Sequence, residues 1–187
     1  MPPMIKFWLS TLKEGKSIDS TAFQSMISDI LEFCATYTKS DSEAHAFYHD
    51  TKDPTRVLMI TGYPSQELNA EADKIYAERF LPRMFDQVQH TWLKQLDMSI
   101  AEIHLEDNLI VAYGKEPSAW VDRGTGGWDV WPSTPQGKQA AAKIQGSVRP
   151  EMENQMWLQI AAWNGKIEDS KVPRDGEKLL VKKIISR

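Results

Sequence analysis

Apolar and polar positions in this chain follow two rhythms. "IKFWLSTL" (5–12) alternates, with Ile5, Phe7 and Leu9 on one side and Lys6, Trp8 and Ser10 on the other, which predicts a strand. In "STAFQSMISDILEFCATYT" the apolar residues Phe23, Met26, Ile27, Ile30, Leu31, Cys34 and Tyr37 take three-four spacing, which predicts an amphipathic helix. Thr21 and Gln24 form the capping box expected at its start. "AHAFYHD" (44–50) is too short before "TKDPTR" to make a useful helix, and Asp53-Pro54 favours a turn. "RVLMITGY" (56–63) is β-branched and apolar and stops at Gly62 and Pro64, so the two segments predict a hairpin. A second helical region is expected from Glu67 to Leu96, interrupted at Pro82, with Met84, Phe85, Val88, Trp92 and Leu96 on one face. "MSIAEIHLE" (98–106) then reads as a strand, with Ala101, Ile103 and Leu105 opposite Ile100, Glu102 and His104. The order is β-α-β-β-α-β, a ferredoxin-like α+β arrangement.

The texture changes after Glu106. "LIVAYG", "QMWLQIAAW" (155–163) and "KLLVKKII" (178–185) predict further strands, and "QAAAKI" a short helix. Between them "WVDRGTGGWDVWPSTPQGK" (120–138) sets Trp120, Trp128 and Trp131 among glycines and prolines, a loop with aromatic anchors. The expected organisation is a ferredoxin-like core over 1–106 and a C-terminal extension over 107–187 packed on it.

Composition narrows the function classes. The chain has 187 residues, 41% of them hydrophobic, enough for one well-filled domain. A net charge of −4 argues against nucleic acid, which demands a clustered basic surface. No run reaches about eighteen apolar residues, and the start of the chain lacks a signal-peptide pattern, so no membrane span and a cytoplasmic location are expected. The single cysteine, Cys34, excludes an intrachain disulfide and belongs to the apolar stripe of the first helix.

The pattern carried by "HAFYHDTKDPTRVLMITGYPSQEL", the long helix after it and "MSIAEIHLE" resembles the dimeric α/β-barrel superfamily. That group includes antibiotic-biosynthesis monooxygenases, EthD-type proteins and small polyketide cyclases. The resemblance covers residues 4–106 and implies a ferredoxin-like dimeric α/β barrel with an elaborated C-terminal region, a homodimer, and a ligand in the barrel lumen or the helix–sheet crevice.

Alternation divides the strands into two faces. Phe7, Leu9, Ala46, Leu58, Ile60, Ala101, Ile103 and Leu105 form the expected helix-facing set. The opposite face then carries Trp8, Ser10, His45, Phe47, His49, Met59, Thr61, Tyr63, Glu102 and His104. Aromatic walls with a few titratable groups suit a ligand site. The candidates are His49, Glu102 and His104 for catalysis, with Trp8, His45, Phe47, Tyr63, Trp120, Trp128 and Trp131 for substrate binding. Each has a plainer alternative. His45 and His49 also suit a solvated strand, and the tryptophans also suit pins holding the tail on the core. His90, off the Val88/Trp92 stripe, reads as a solvated helix residue. No HExxH or acidic bracket is present, so no metal is expected, and "GTGGW" lacks dinucleotide-fingerprint spacing.

The expected function is a cofactor-free enzyme of specialised metabolism on a hydrophobic small molecule, a cyclase, isomerase or related lyase. A cofactor-independent monooxygenase on an electron-rich aromatic and a non-catalytic binding or stress-related barrel are the alternatives.

Overall fold

The computed structural model describes residues 2–38, 43–115, 124–142, 156–163 and 176–187. Strand β1 (Met4–Leu12) leads to helix α1 (Thr21–Ala35), then to β2 (His45–Asp50) and β3 (Arg56–Tyr63). Helices α2 (Gln66–Arg79) and α3 (Leu81–Gln87) precede β4 (Val88–Leu96). The tail supplies β5 (Asn108–Gly114), β6 (Thr125–Trp128), α4 (Pro135–Ala142), β7 (Trp157–Ala162) and β8 (Glu177–Ser186). The strands form one antiparallel sheet in the order β4-β1-β3-β2-β8-β5-β7-β6.

The sheet curls until its two ends meet. Asp129 and Val130, just after β6, bond to Gln95 of β4: Val130 N donates to the Gln95 carbonyl at 2.8 Å, and Gln95 N donates to Asp129 Oδ1 at 2.9 Å. Inside the curl, Phe7, Leu58, Val111, Leu158 and Val181 share one buried cluster although their strands span the sheet. The chain's own tail therefore fills the inner face. Helices α1 and α3 pack outside, on Phe47, Val57, Met59 and Val88.

Local chemistry accounts for several elements. The β2–β3 turn is an Asx turn, with Asp53 Oδ1 accepting from Thr55 N at 3.1 Å and Thr55 Oγ1 at 2.6 Å. Ser65 caps α2 by accepting from Leu68 N. Helix α1 starts one residue earlier than the Thr21/Gln24 box implies. Ser20 is its N-cap and accepts from Phe23 N, while Gln24 donates to the Ile18 carbonyl.

Two expectations are corrected. Residues 88–96 form strand β4 rather than a continuing helix, and 98–106 holds only a 3-10 turn at Ile100–Glu102. Val88, Trp92 and Leu96 are four apart, and a step of four suits a strand of period two as well as a helix. Val88, Thr91 and Trp92 favour the pleated surface, and β1 offers an edge that pairs from Ile5 to Leu12. The second correction concerns the faces. Alternation sorted Trp8, Phe47 and Met59 from Phe7, Ala46 and Leu58 as the structure does, but the helices cover the Trp8 side. Both faces are apolar, so hydrophobicity alone did not assign them.

Gly62 of β3 lies directly beneath the 3-10 turn. A Cβ there would sit 2.4 Å from Ile100 Cβ, which is fixed to the turn backbone. We expect Gly62→Ala to cost about 1–3 kcal/mol in denaturant unfolding, the range for overpacking.

Candidate functional site

The outer face of β1, β3 and β4 is the floor of a cavity of about 310 Å³. Strand register sets this floor in rows: Lys6 beside Thr61, then Trp8 between Met59 and Leu93, then His90 beside Ser10. The roof comes from Asp73, Tyr76 and Ala77 of α2, spaced to share one helix face, with Leu81 and Phe85 of α3. Cys34 and Trp131 complete the wall. The cavity is thus the helix–sheet crevice, not the interior of the curl.

His90 reaches this face through a bulge. The β1–β4 register shifts between Leu9 and Ser10, so Leu9 pairs with Trp92 while Ser10 pairs with His90. In a regular strand His90 and Trp92 would share a face; the extra residue, Thr91, sends Trp92 inside and His90 to the cavity. There Trp8 Nε1 donates to His90 Nδ1 at 2.9 Å. His90 is therefore a half-buried strand residue of the cavity wall, not the solvated helix residue expected from its spacing. An indole can only donate, so this bond assigns the proton of the neutral imidazole to Nε2.

The cavity has a polar end and an aromatic end. At the polar end the buried Lys6 ammonium pairs with Asp73 Oδ2, which also accepts from Asn69 Nδ2 at 3.2 Å. Lys6 Nζ lies 5.4 Å from the Trp131 ring centre, a cation–π contact. Two wall residues there, Tyr76 (hydroxyl) and Trp131 (Nε1), have buried polar atoms with no hydrogen-bond partner among the described residues. At the aromatic end Trp8 meets Tyr76 and Phe85 edge to face, at 6.5 and 6.2 Å between ring centres. Burial raises the Tyr63 and Tyr76 phenols well above their usual range and pushes the Cys34 thiol up to about 12. All three stay protonated at neutral pH, so Cys34 is not a thiolate nucleophile there.

Of the residues singled out from sequence, Trp8, Tyr63 and Trp131 line this cavity together. His45 and Phe47 lie next to it on β2 without lining it. Phe47 is packed under α1, and His45 is fully buried with its ring 5.4 Å from that of Tyr63. Neither ring nitrogen of His45 has a hydrogen bond of good geometry among the described residues. Trp128 is on the surface against Trp157, and Trp120 lies outside the described residues. His49 is half-buried, with Nδ1 3.2 Å from the Asp50 carbonyl. His104 is exposed, and Glu102 accepts from Ser99 N at 3.0 Å to cap the 3-10 turn. The cavity does not gather these last three.

Lys6, Asp73 and Tyr76 were missed. Lys6 did alternate onto the Trp8 side, a lysine in an otherwise apolar strand, and that was the available signal. Asp73 and Tyr76 gave none, because α2 buries Asn69 and Ala72 and shows no apolar stripe. Among the described residues, no group of three His, Cys, Asp or Glu side chains is placed to hold a metal ion. Nor is any helix among them long and apolar enough to cross a membrane.

No family model matches the sequence. The search of curated proteins finds no match either. Solved structures do match in shape. An anthrone oxidase-like protein superposes with a TM-score of 0.54 at 10% identity, over 100% of this chain and 93% of its own. A candidate chlorite dismutase gives 0.51 at 10% identity, over 98% and 96%. A candidate monooxygenase from Lactobacillus acidophilus gives 0.50 at 9% identity, over 100% and 96%. At such identity the likeness carries the fold and no activity. The chain has the ferredoxin-like α+β fold of the dimeric α/β-barrel proteins, its curled sheet closed by its own C-terminal strands.

Proposed function

We propose that this protein is a cofactor-free enzyme of specialised metabolism that moves a proton on a hydrophobic small molecule, leading to isomerisation or cyclisation. One observation carries the reading: the Lys6–Asp73 ion pair sits at one end of a mostly apolar, aromatic-walled cavity. Burying the Lys6 charge costs free energy, and Asp73, its partially exposed partner, lines the same cavity, which makes the pair a candidate for acid–base chemistry. Asp73 takes a proton from the substrate. The electron pair left behind moves onto a substrate oxygen, which Lys6 holds by a hydrogen bond. Protonated Asp73 returns the proton elsewhere on the same molecule, so mass is conserved. Trp8, Phe85 and Leu93 fold the apolar remainder into a reactive conformer. The mechanism draws on Lys6 and Asp73 in place of His49, Glu102 and His104, which do not line the cavity.

A metabolite extract incubated with the protein in air, then anaerobically, tests this. The proposal expects a product of unchanged mass in both cases, with deuterium incorporated from heavy water. Asp73→Asn should slow its formation about a hundredfold, the lower end of general acid–base effects. Absence of any product on either condition would leave a binding protein. The oxygenase reading is the second, favoured by the fold shared with an anthrone oxidase-like protein. There the same substrate anion would react with dioxygen, and a product heavier by oxygen, formed only in air, would establish it. Pairing of two copies would use an outer surface, because β5, β7 and β8 already cover the inner face.

A further inference from the structure

We propose that Lys6 is a nucleophile, and that the cavity captures an aldehyde or unhindered ketone of a hydrophobic molecule as an imine on its amine. The proposal goes beyond the proton-transfer reading, in which Lys6 only donates a hydrogen bond, and rests with it on the cavity being the substrate site. An amine acts this way when it is reachable, desolvated, and beside a base that a third group orients. Lys6 meets each condition. It is 7% exposed yet lines the cavity, whose walls are mostly apolar. Its Nζ donates to Asp73 Oδ2, and the same oxygen accepts from Asn69 Nδ2 at 3.2 Å. Asn69 is buried and stands four residues before Asp73 on α2, so one helix face sets the carboxylate against the amine. Lys94 provides the contrast. It is also buried beside a carboxylate, Asp129, and lies 5.2 Å from the Trp92 ring centre, but it does not line the cavity. Among the described residues, Lys6 is the lysine that combines such a pairing with the cavity.

The step balances without a further reactant. Asp73 takes one proton from the Lys6 ammonium, which removes the cost of burying that charge. The freed lone pair attacks the carbonyl carbon, and a proton moves from nitrogen to the former carbonyl oxygen, giving a carbinolamine. Asp73 then returns its proton to that hydroxyl, which leaves as water while the nitrogen lone pair closes the C=N bond. The product is an iminium cation beside a carboxylate, so the charges of the site are restored. The Trp131 ring, its centre 5.4 Å from Nζ, has a cation nearby before and after the step. Trp8, Phe85 and Leu93 offer apolar walls to the rest of the molecule.

Reductive trapping on the whole protein tests the proposal without requiring turnover. The protein is incubated at pH 7 with 3-phenylpropanal and cyanoborohydride, which delivers hydride to an iminium and leaves a secondary amine on the lysine. Peptide mass spectrometry then maps the labelled lysines. We expect Lys6 to be labelled about tenfold faster than the exposed Lys16 and Lys52, and Lys94 to stay unlabelled. In urea, where the cavity is lost, the preference for Lys6 should vanish. Lys6→Arg keeps a cation for Asp73 and should lose this label alone. Asp73→Asn removes the proton acceptor and should slow labelling of Lys6 about tenfold, with Lys16 and Lys52 within about twofold of the parent. A fold defect would instead open Lys94 to the label. Labelling of Lys6 no faster than of Lys16 and Lys52 overturns the proposal. So does faster labelling of Lys6 in Asp73→Asn, which would make the carboxylate only a clamp on the ammonium. Label on Lys6 with no deuterium entering any product leaves the covalent site standing and removes the proton-transfer reading. Proton exchange into a product with Lys6 unlabelled does the reverse.

Discussion

Asp129→Ala is expected to destabilise the fold by about 4 kcal/mol, because one buried carboxylate joins the two ends of the curled sheet. Asp129 is 0% exposed; its Oδ1 accepts from Gln95 N on β4 and from Trp131 N, both at 2.9 Å. Its Oδ2 lies 3.8 Å from the ammonium of Lys94, itself 2% exposed. Removing one partner of such a buried pair typically costs about 3–5 kcal/mol, since the remaining charge loses its nearby carboxylate. Two backbone donors lose their acceptor as well. Asp129→Asn keeps an oxygen for those donors and loses only the charge, so its loss should be clearly smaller. Urea unfolding of the three proteins at pH 7 gives the comparison. If Asn and Ala destabilise equally, the backbone bonds contribute little and closure rests on the charge pair. If neither matters, the sheet ends are held by something else.

The second large effect is a pH dependence owed to His45. Burial of its imidazole, only partly offset by the Cys34 backbone, lowers its pKa from about 6.5 to about 4. The sign follows from counting protons. Above pH 6.5 the ring is neutral in both states and contributes no pH dependence. As pH falls from 6.5 towards 4, the unfolded chain binds a proton that the folded one does not, so stability declines. The slope is at most about 1.4 kcal/mol per pH unit, giving a total on the order of 3 kcal/mol by pH 4. Below that the folded ring protonates too and the decline stops. His45→Phe removes the proton site, retains a ring against Tyr63, and eliminates two buried nitrogens that lack good hydrogen bonds among the described residues. The variant should equal or exceed the parent at pH 7, and the gap should widen by about 3 kcal/mol on acidification to pH 4. Parallel stability profiles for the two proteins would show that His45 titrates normally.

The sheet's outer face changes character along a single strand. Lys6 and Trp8 occupy alternate positions of β1, roughly 7 Å apart by the strand rise. Over that distance the floor changes from an ion pair to an aromatic slot. The bulge at Thr91 extends the slot by adding His90, a residue that ordinary alternation would have turned inward. One irregularity of the β1–β4 ladder thus changes which residues line the cavity.

What local chemistry dictates was legible along the chain. Alternation located β1, a short segment and a β-branched run on either side of Asp53-Pro54 located the β2–β3 hairpin, three-four spacing located α1, and a helix was expected from Glu67 where α2 lies. Alternation also separated Trp8 and Tyr63 from Phe7 and Ile60, because side-chain direction in a strand follows position parity whatever lies above. Everything that needs two distant segments to meet came only with the tertiary structure. A four-residue spacing fits helix and strand alike, so β4 was settled by the free edge of β1. The helix-bearing face was settled by the tail, whose strands filled the other side. Lys6 and Asp73 are 67 residues apart, and no local pattern pairs them. A charge buried in an apolar strand is the trace such pairs leave in sequence, and only packing reveals its partner.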